Sequence, residues 1–234
     1  MNINYYHSII KVQKIIRGFL TRIKYLPLIL YNIRNYLSQC FFQFSSINDD
    51  GRVNSSCDED NIIDLLIYKF KHRIKKPNIR NWFDIAVYDN YYGWLPVNIK
   101  TTTTTTSDNS GNLAICVQAY TNYECDLDKK YENGLMSKIL IDKLKNNEFN
   151  LKHKKDYYFL VLNKRNSKEV IVNSVKGLNH LTPNVNNLPF QIKWNKNKIF
   201  QYKHIHQNIN DFIHIIQKPN PSWKEDFLNQ ARLL

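Results

Sequence analysis

The chain has 234 residues, of which 43% are hydrophobic, and this length and composition suit one globular domain with an appendage. Its 33 Lys and Arg residues outnumber 20 Asp and Glu residues, and the formal net charge of +13 favours a polyanionic partner such as nucleic acid; a solvated basic surface or a Lys- and Asn-rich coding bias gives the same balance. The four cysteines lack metal-ligand spacing, and no window approaches the roughly 20 apolar residues of a membrane-spanning helix. The sequence therefore predicts neither a cysteine metal site nor a membrane span. We expect a reduced, soluble, intracellular protein of the cytoplasm or nucleus.

The first predicted element is a basic amphipathic helix over residues 5–25, in which apolar residues recur at helical spacing. Six of its residues resemble the IQ motif of helices that are bound by calmodulin and related EF-hand proteins: Val12, Gln13, Arg17, Gly18, Arg22 and Tyr25. The resemblance implies a calmodulin-like partner whose groove takes the apolar stripe while its acidic rim faces the arginines. Alternatively, the helix packs on its own domain.

Two further helices are predicted before the first strands. Pro27 interrupts the chain, and residues 28–44 have the broad apolar face of a helix that packs on the core or on a second subunit. Residues 45–60 are rich in Ser, Asn, Asp and Gly and predict a loop. Helical spacing returns over residues 62–75 and leads into the strands.

A β-hairpin is the central prediction. Residues 82–88 and 94–100 have the β-branched and aromatic content of strands and are separated by turn residues. Because side chains alternate along a strand, Asp84 on the first strand and Asn98 and Lys100 on the second share one face if the two faces coincide. A carboxylate, an amide and an ammonium in this arrangement can hold Mg²⁺ and stabilise a developing phosphorane charge. A plain cross-strand ion pair explains the same spacing.

The run over residues 97–102, followed after a polar loop by residues 119–122, resembles the active-site hairpin and next strand of type II restriction endonucleases of the PD-(D/E)xK superfamily, in particular the EcoRV and HincII group. The resemblance implies an α/β fold, with a restriction-endonuclease-like mixed sheet flanked by helices. It also implies Mg²⁺-dependent, sequence-specific hydrolysis of double-stranded DNA. A homodimer is expected, since two strands are cut by symmetric sites.

Individual roles follow from the same resemblance. Asp84 matches the first acid and holds the metal, Lys100 matches the lysine that orients the attacking water, and Ile99 matches the residue whose carbonyl reaches the metal. Asn98 stands where the family has Asp or Glu, and it completes the metal site without a charge. Another carboxylate is then needed to compensate.

Glu59, near the start of the helix that precedes the hairpin, is the first choice for the compensating catalytic and metal-binding acid, because such a helix contributes an acid in relatives. Glu124 is the second choice. The alternative for both is structural, since acids at the start of a helix stabilise its dipole or cap it.

The remaining core is predicted as a strand over residues 112–120, a helix over 132–145 and two strands over 156–163 and 169–175. A threonine tract separates them from the hairpin. Within that tract, Thr101 is assigned to DNA contact.

An amide-rich loop over residues 176–191 resembles in position the loop with which EcoRV-type enzymes read base edges in the major groove. Amide side chains suit this role because they pair bidentately with adenine. Building turns is the alternative role for the same residues. The recognition candidates are Asn184, Asn186, Asn187 and Gln191, with Lys193 expected to contact phosphate.

The predicted organisation has three parts: a helical segment with the IQ-like motif over residues 1–44, a linker loop over 45–56 and a catalytic domain over 57–234. Two other functions fit the same residues. Asn98 would be the signature of a DNA-binding protein that has lost cleavage, and the IQ-like helix would be the main feature of a calmodulin-regulated interaction module.

Overall fold

The computed structural model describes residues 12–13, 26–44, 51–78, 81–151, 156–184, 188–216 and 227–230. Val12 and Gln13 are helical and exposed within it. The other IQ-like positions and two recognition candidates lie outside the described residues: Arg17, Gly18, Arg22, Tyr25, Asn186 and Asn187.

The architecture is α/β, as predicted, and a mixed five-stranded sheet is its centre. The strand order is β1-β2-β3-β5-β6, with β3 and β5 parallel and the other neighbours antiparallel. The strands are β1 (Ile74–Lys75), β2 (Ile85–Asp89), β3 (Gly93–Thr102), β5 (Tyr158–Asn163) and β6 (Asn166–Ser174). A smaller sheet has the order β4-β8-β7, built from β4 (Ser107–Asn109), β7 (Leu181–Thr182) and β8 (Gln191–Lys193).

Helices cover both faces of the large sheet. They are α1 (Leu28–Gln39), α2 (Gly51–Phe70), α3 (Ala114–Tyr120), α4 (Asn133–Lys145) and α5 (Ile205–Ile216). Val97 and Ile99 of β3 pack into the core formed with α1 and α2, whereas Phe159 and Val161 of β5 pack into the core formed with the other three helices. Since side chains alternate along β3, Asn98 and Lys100 lie on the opposite face from Ile99.

The hairpin, the helix over 132–145 and the strands over 156–163 and 169–175 are confirmed, as β2–β3, α4, β5 and β6. The α1 helix packs on the core of the large sheet, one of its two predicted places.

The predicted strand over residues 112–120 is wrong, because this segment forms α3. All seven residues of α3 are buried, so they show no polar face that could indicate a period. A short continuous apolar run fits a buried helix as well as a buried strand. The Asn112 side chain accepts a hydrogen bond from the Ala114 backbone N–H at 2.9 Å and so favours the helical start.

The loop predicted over residues 45–60 is helical from Gly51 onward. The helix is held against β3 by two hydrogen bonds. The Ser55 hydroxyl donates to the Thr101 carbonyl, and the Thr101 hydroxyl donates to the Ser55 carbonyl, both at 3.4 Å. Tertiary contact of this kind overrides the weak helix propensity of Ser, Asn and Asp. The result places the early turns of α2 beside the end of β3.

Candidate active site

The pairing of β2 with β3 determines the position of Asp84. Ile85 pairs with Val97, so Asp84, one residue before β2, lies opposite Asn98. Its backbone N–H donates to the Val97 carbonyl at 3.0 Å, and its Oδ2 accepts from the Ile99 N–H at 2.7 Å. Burial raises the pKa of Asp84, while the Lys100 ammonium and the Ile99 N–H lower it. The hairpin therefore holds a carboxylate whose negative charge is incompletely compensated.

Glu59 reaches the same place from α2. Its Oε1 accepts from the Thr101 backbone N–H at 3.3 Å, which ties α2 to the strand that carries Lys100. Burial raises the pKa of Glu59 to about 7; Lys100 opposes this increase and the charge of Asp84 adds to it. The structure thus brings the first-choice compensating acid next to Asp84. Glu124, the second choice, is exposed in the loop after α3.

Lys100 is half-buried among three carboxylates, and its charge lowers the pKa values of Glu59, Asp84 and Asp108. Asp108, on β4, is a member of this group that the sequence did not reveal. Burial raises its pKa, and the nearby Thr102 hydroxyl, Trp194 indole N–H and Lys100 ammonium oppose that change. Asp108 lies in no sequence motif, and the strand that carries it is held in place by pairing with the distant β8. A local sequence pattern therefore could not indicate its position.

Asn98 lies opposite Asp84 in the hairpin and has an unpaired side-chain oxygen. The residue is only 8% exposed, and its Oδ1 has no hydrogen-bond partner among the residues that the structure describes. Its amide hydrogen-bonds to the Tyr157 hydroxyl, which donates to the Trp82 carbonyl at 3.0 Å. Burial of a carbonyl oxygen without a hydrogen bond costs folding free energy. A cation bound by the Asn98 Oδ1 would offset that cost, so Asn98 is a candidate neutral ligand.

Two open clefts meet at Glu59. The first has a volume of about 240 Å³ and is lined by Glu59, Asp84 and the segment after β1. The second has a volume of about 530 Å³ and is lined by Glu59, Lys100, Asp108 and Asn109. The carboxylates and the lysine are therefore accessible from solvent on both sides of Glu59.

These residues fit a Mg²⁺ ion held by few protein charges. Within the described ranges, no three His, Cys, Asp or Glu side chains form a metal-binding group. Mg²⁺ is commonly held by only one or two carboxylates, with waters and substrate phosphates completing its shell. In such a site, Glu59 and Asp84 would supply two carboxylates and the unpaired Oδ1 of Asn98 a neutral oxygen.

The predicted DNA contacts are divided between two places. Thr101 is 5% exposed. Its hydroxyl donates to the Ser55 carbonyl and its backbone N–H donates to Glu59, so the residue holds α2 against β3. Asn184 and Gln191 come together instead around Asn109 of β4, and Lys193 is half-buried at the end of β8. Two of the recognition candidates thus meet beside the larger cleft.

The pKa of Glu59 leads to a pH-dependent expectation. Its folded-state pKa of about 7 lies above the ordinary value of 4.5, so ionisation of Glu59 destabilises the folded protein. This loss of stability begins above about pH 4.5 and is complete above about pH 7. We expect Glu59→Gln to increase the free energy of unfolding at pH 8 by about 1 to 3 kcal/mol, on the basis of 1.36 kcal/mol per pKa unit. Thermal unfolding in EDTA at pH 8 and pH 4.5 measures this, with the gain disappearing at the lower pH.

Glu148→Gln is the matched control. Hydrogen bonds from Asn122 and Lys143 lower the pKa of Glu148, so its neutralisation is expected to destabilise the protein slightly at pH 8. If Glu59→Gln destabilises the metal-free protein at pH 8, Glu59 is a satisfied structural acid and the assignment fails.

Comparison with known proteins found no matching family model and no significant match among curated proteins. The resemblance of the hairpin to restriction endonucleases therefore stays a prediction from its residues. None of the helices in the described part of the chain is long and apolar enough to cross a membrane.

Proposed function

We propose that the chain is a Mg²⁺-dependent, sequence-specific endonuclease that hydrolyses phosphodiester bonds of double-stranded DNA. The observation that carries this proposal is the meeting of Glu59, Asp84 and Lys100, which come from a helix, a hairpin strand and its partner. Two acids and a lysine at two adjoining clefts that share Glu59 form a set that can perform phosphodiester hydrolysis.

Each residue has a separate role in this proposal. Asp84 and Glu59 would hold Mg²⁺, with neutral oxygens from Asn98 and the Ile99 carbonyl. The ion, when bound, neutralises charge on the phosphate and favours attack by water. The Lys100 ammonium donates hydrogen bonds to the attacking water and stabilises negative charge that grows on the phosphoryl oxygens.

The substrate assignment is supported by charge and accessibility. The net charge of +13 attracts a polyanion, and Lys164 joins Lys100 in the lining of the larger cleft. A duplex has two scissile strands of opposite direction, so we propose a homodimer with one site for each strand.

A plasmid cleavage assay tests the proposal. We expect purified wild-type protein to cut supercoiled plasmid with Mg²⁺ and not with EDTA. Lys100→Ala is expected to slow cleavage by about 10² to 10³, the usual cost of losing one electrostatic donor from an active site. Lys138→Ala, which removes an exposed lysine on α4, is the charge-matched control and is expected to leave the rate unchanged.

Asn98 favours a second candidate function, a DNA-binding protein without cleavage, because an amide holds the metal more weakly than a carboxylate. If this function is correct, wild-type protein binds duplex DNA without Mg²⁺ and never nicks it.

The proposed calmodulin-like partner depends on residues 5–25, and a complex that is lost when those residues are deleted would support it.

Asn98→Asp separates the two readings of this residue. A third carboxylate opposite Asp84 is expected to tighten Mg²⁺ binding by about tenfold, which corresponds to about 1.4 kcal/mol. The measurement is the increase in Tm with Mg²⁺ concentration, since a ligand stabilises the folded state that binds it. Asn166→Asp, on the exposed start of β6, is the control. An unchanged Mg²⁺ response in Asn98→Asp would remove Asn98 from the metal site.

A further inference from the structure

Three amide side chains form a network at the edge of the small sheet. The Asn109 Oδ1 accepts from the Asn184 Nδ2 at 2.9 Å and from the Gln191 Nε2 at 3.3 Å. Asn109 and Gln191 are direct partners in the pairing of β4 with β8. Asn184, which is 4% exposed, approaches Asn109 from the loop after β7.

The network determines which hydrogen-bonding groups Asn109 presents. Both lone pairs of its Oδ1 are used by amide donors, whereas its Nδ2 has no partner among the residues that the structure describes. Asn109 is exposed, so this Nδ2 remains available from solvent. An asparagine in this state can donate to a ligand and cannot accept from it.

Asn109 also lies close to the candidate chemistry. It lines the same cleft as Lys100 and Glu59, and it directly follows Asp108, whose pKa is raised by burial and lowered in part by the Lys100 charge. A DNA duplex whose phosphate is held at Lys100 would place neighbouring base pairs near β4.

We propose that Asn109 is a specificity-determining residue that reads an acceptor-only base edge, the O6 and N7 of guanine in the major groove; this inference rests on the proposed nuclease function. Guanine presents two acceptors there, whereas adenine presents one acceptor and one donor. A free asparagine pairs with adenine through both its oxygen and its nitrogen. The engaged Oδ1 of Asn109 removes that option. Guanine presents two acceptors to the donating Nδ2, whereas thymine presents one acceptor, O4, beside a methyl group, so guanine is the better match.

Asn109→Asp tests the polarity. One carboxylate oxygen would still accept from Asn184 and Gln191, while the other would replace the donating Nδ2 by an acceptor. The size of the side chain is unchanged, so the β4–β8 pairing is expected to remain. The preferred base at one target position is expected to change from guanine to cytosine, whose N4 amino group is a donor, with loss of cleavage at the original base of tenfold or more.

The experiment digests a pool of random-sequence duplexes with Mg²⁺ and sequences the fragment ends. Wild-type protein, Asn109→Asp and Asn90→Asp are compared; Asn90 is exposed in the turn between β2 and β3 and carries the matched charge change. A change at one position in Asn109→Asp alone supports the inference. An identical target in all three proteins overturns the inference and leaves the nuclease function intact.

A second measurement uses only wild-type protein, so it tests the inference even if Asn109→Asp does not fold or does not cut DNA. Wild-type protein is assayed on its target with 7-deazaguanine, which lacks the N7 acceptor, at each guanine in turn. A slowing of tenfold or more at one position is expected, and equal rates at every position overturn the inference. Wild-type protein that cuts no duplex at all overturns the proposed function together with this inference.

Discussion

Asp84→Asn is expected to slow Mg²⁺-dependent cleavage by at least about a hundredfold, the scale of losing one preorganised electrostatic group. The substitution keeps the shape of the side chain, and the amide oxygen can still accept the hydrogen bond from the Ile99 N–H. What is lost is one of the two carboxylates proposed to hold the metal. A neutral oxygen at this position attracts Mg²⁺ more weakly.

Single-turnover cleavage rates at saturating protein measure this effect, so that weaker DNA binding does not lower the rate. Asp142→Asn, on the exposed face of α4, removes the same charge at a distance from the clefts and serves as the control. A wild-type rate for Asp84→Asn in the presence of Mg²⁺ would remove Asp84 from the mechanism. Higher Mg²⁺ or Mn²⁺ is expected to restore part of the rate, since the defect is in metal binding.

Lys176→Met is expected to reduce the free energy of unfolding by about 3 to 5 kcal/mol, the usual cost of leaving a buried charge without its compensating charge. Lys176 is fully buried, and its Nζ donates to the Asn150 carbonyl at 3.4 Å. Burial raises the pKa of Asp156 to about 6, and the charge of Lys176 opposes that increase. Without the lysine, the Asp156 carboxylate is left buried without this cation.

The loss of stability in Lys176→Met is expected to be larger at high pH. With Lys176 removed, the folded-state pKa of Asp156 rises further, so ionised Asp156 destabilises the variant more at pH 8 than at pH 5. Chemical denaturation at both pH values measures the difference. Adding Asp156→Asn to Lys176→Met is expected to recover much of the loss at pH 8, because the buried charge is gone.

Lys203→Met provides the comparison for a pair near the surface. Lys203 contacts Asp211 at 2.8 Å, with half of the aspartate side chain exposed, and such pairs contribute about 0 to 1 kcal/mol. Equal losses in Lys203→Met and Lys176→Met would contradict the special cost assigned to the buried lysine.

The hairpin and its site could be predicted because their signals are local. Strand alternation places Asp84, Asn98 and Lys100 on one side of two consecutive strands, and the structure confirms those strands as β2 and β3. Glu59 approaches the hairpin from the preceding helix, and its catalytic and metal-binding role stays a prediction. The contact depends on α2 starting at Gly51, within the segment predicted as a loop.

The contributions of Asp108 and Asn109 could not be predicted in the same way. Both lie on the three-residue strand β4, next to a threonine tract, and they enter the site through pairing with β8 more than 80 residues along the chain. Short strands have little periodicity, and long-range pairing has no local signature. The incorrect prediction of a strand in place of α3 has a related cause, since a fully buried run shows no polar face.

The most direct test of the central claim is digestion of phage DNA by the wild-type protein with Mg²⁺, followed by ligation of the products. Hydrolysis at a fixed target by two symmetric sites is expected to give discrete fragments that DNA ligase rejoins without prior phosphorylation, with EDTA abolishing the cleavage. Intact DNA that the wild-type protein nevertheless binds would contradict the nuclease assignment and favour the binding protein that Asn98 suggests.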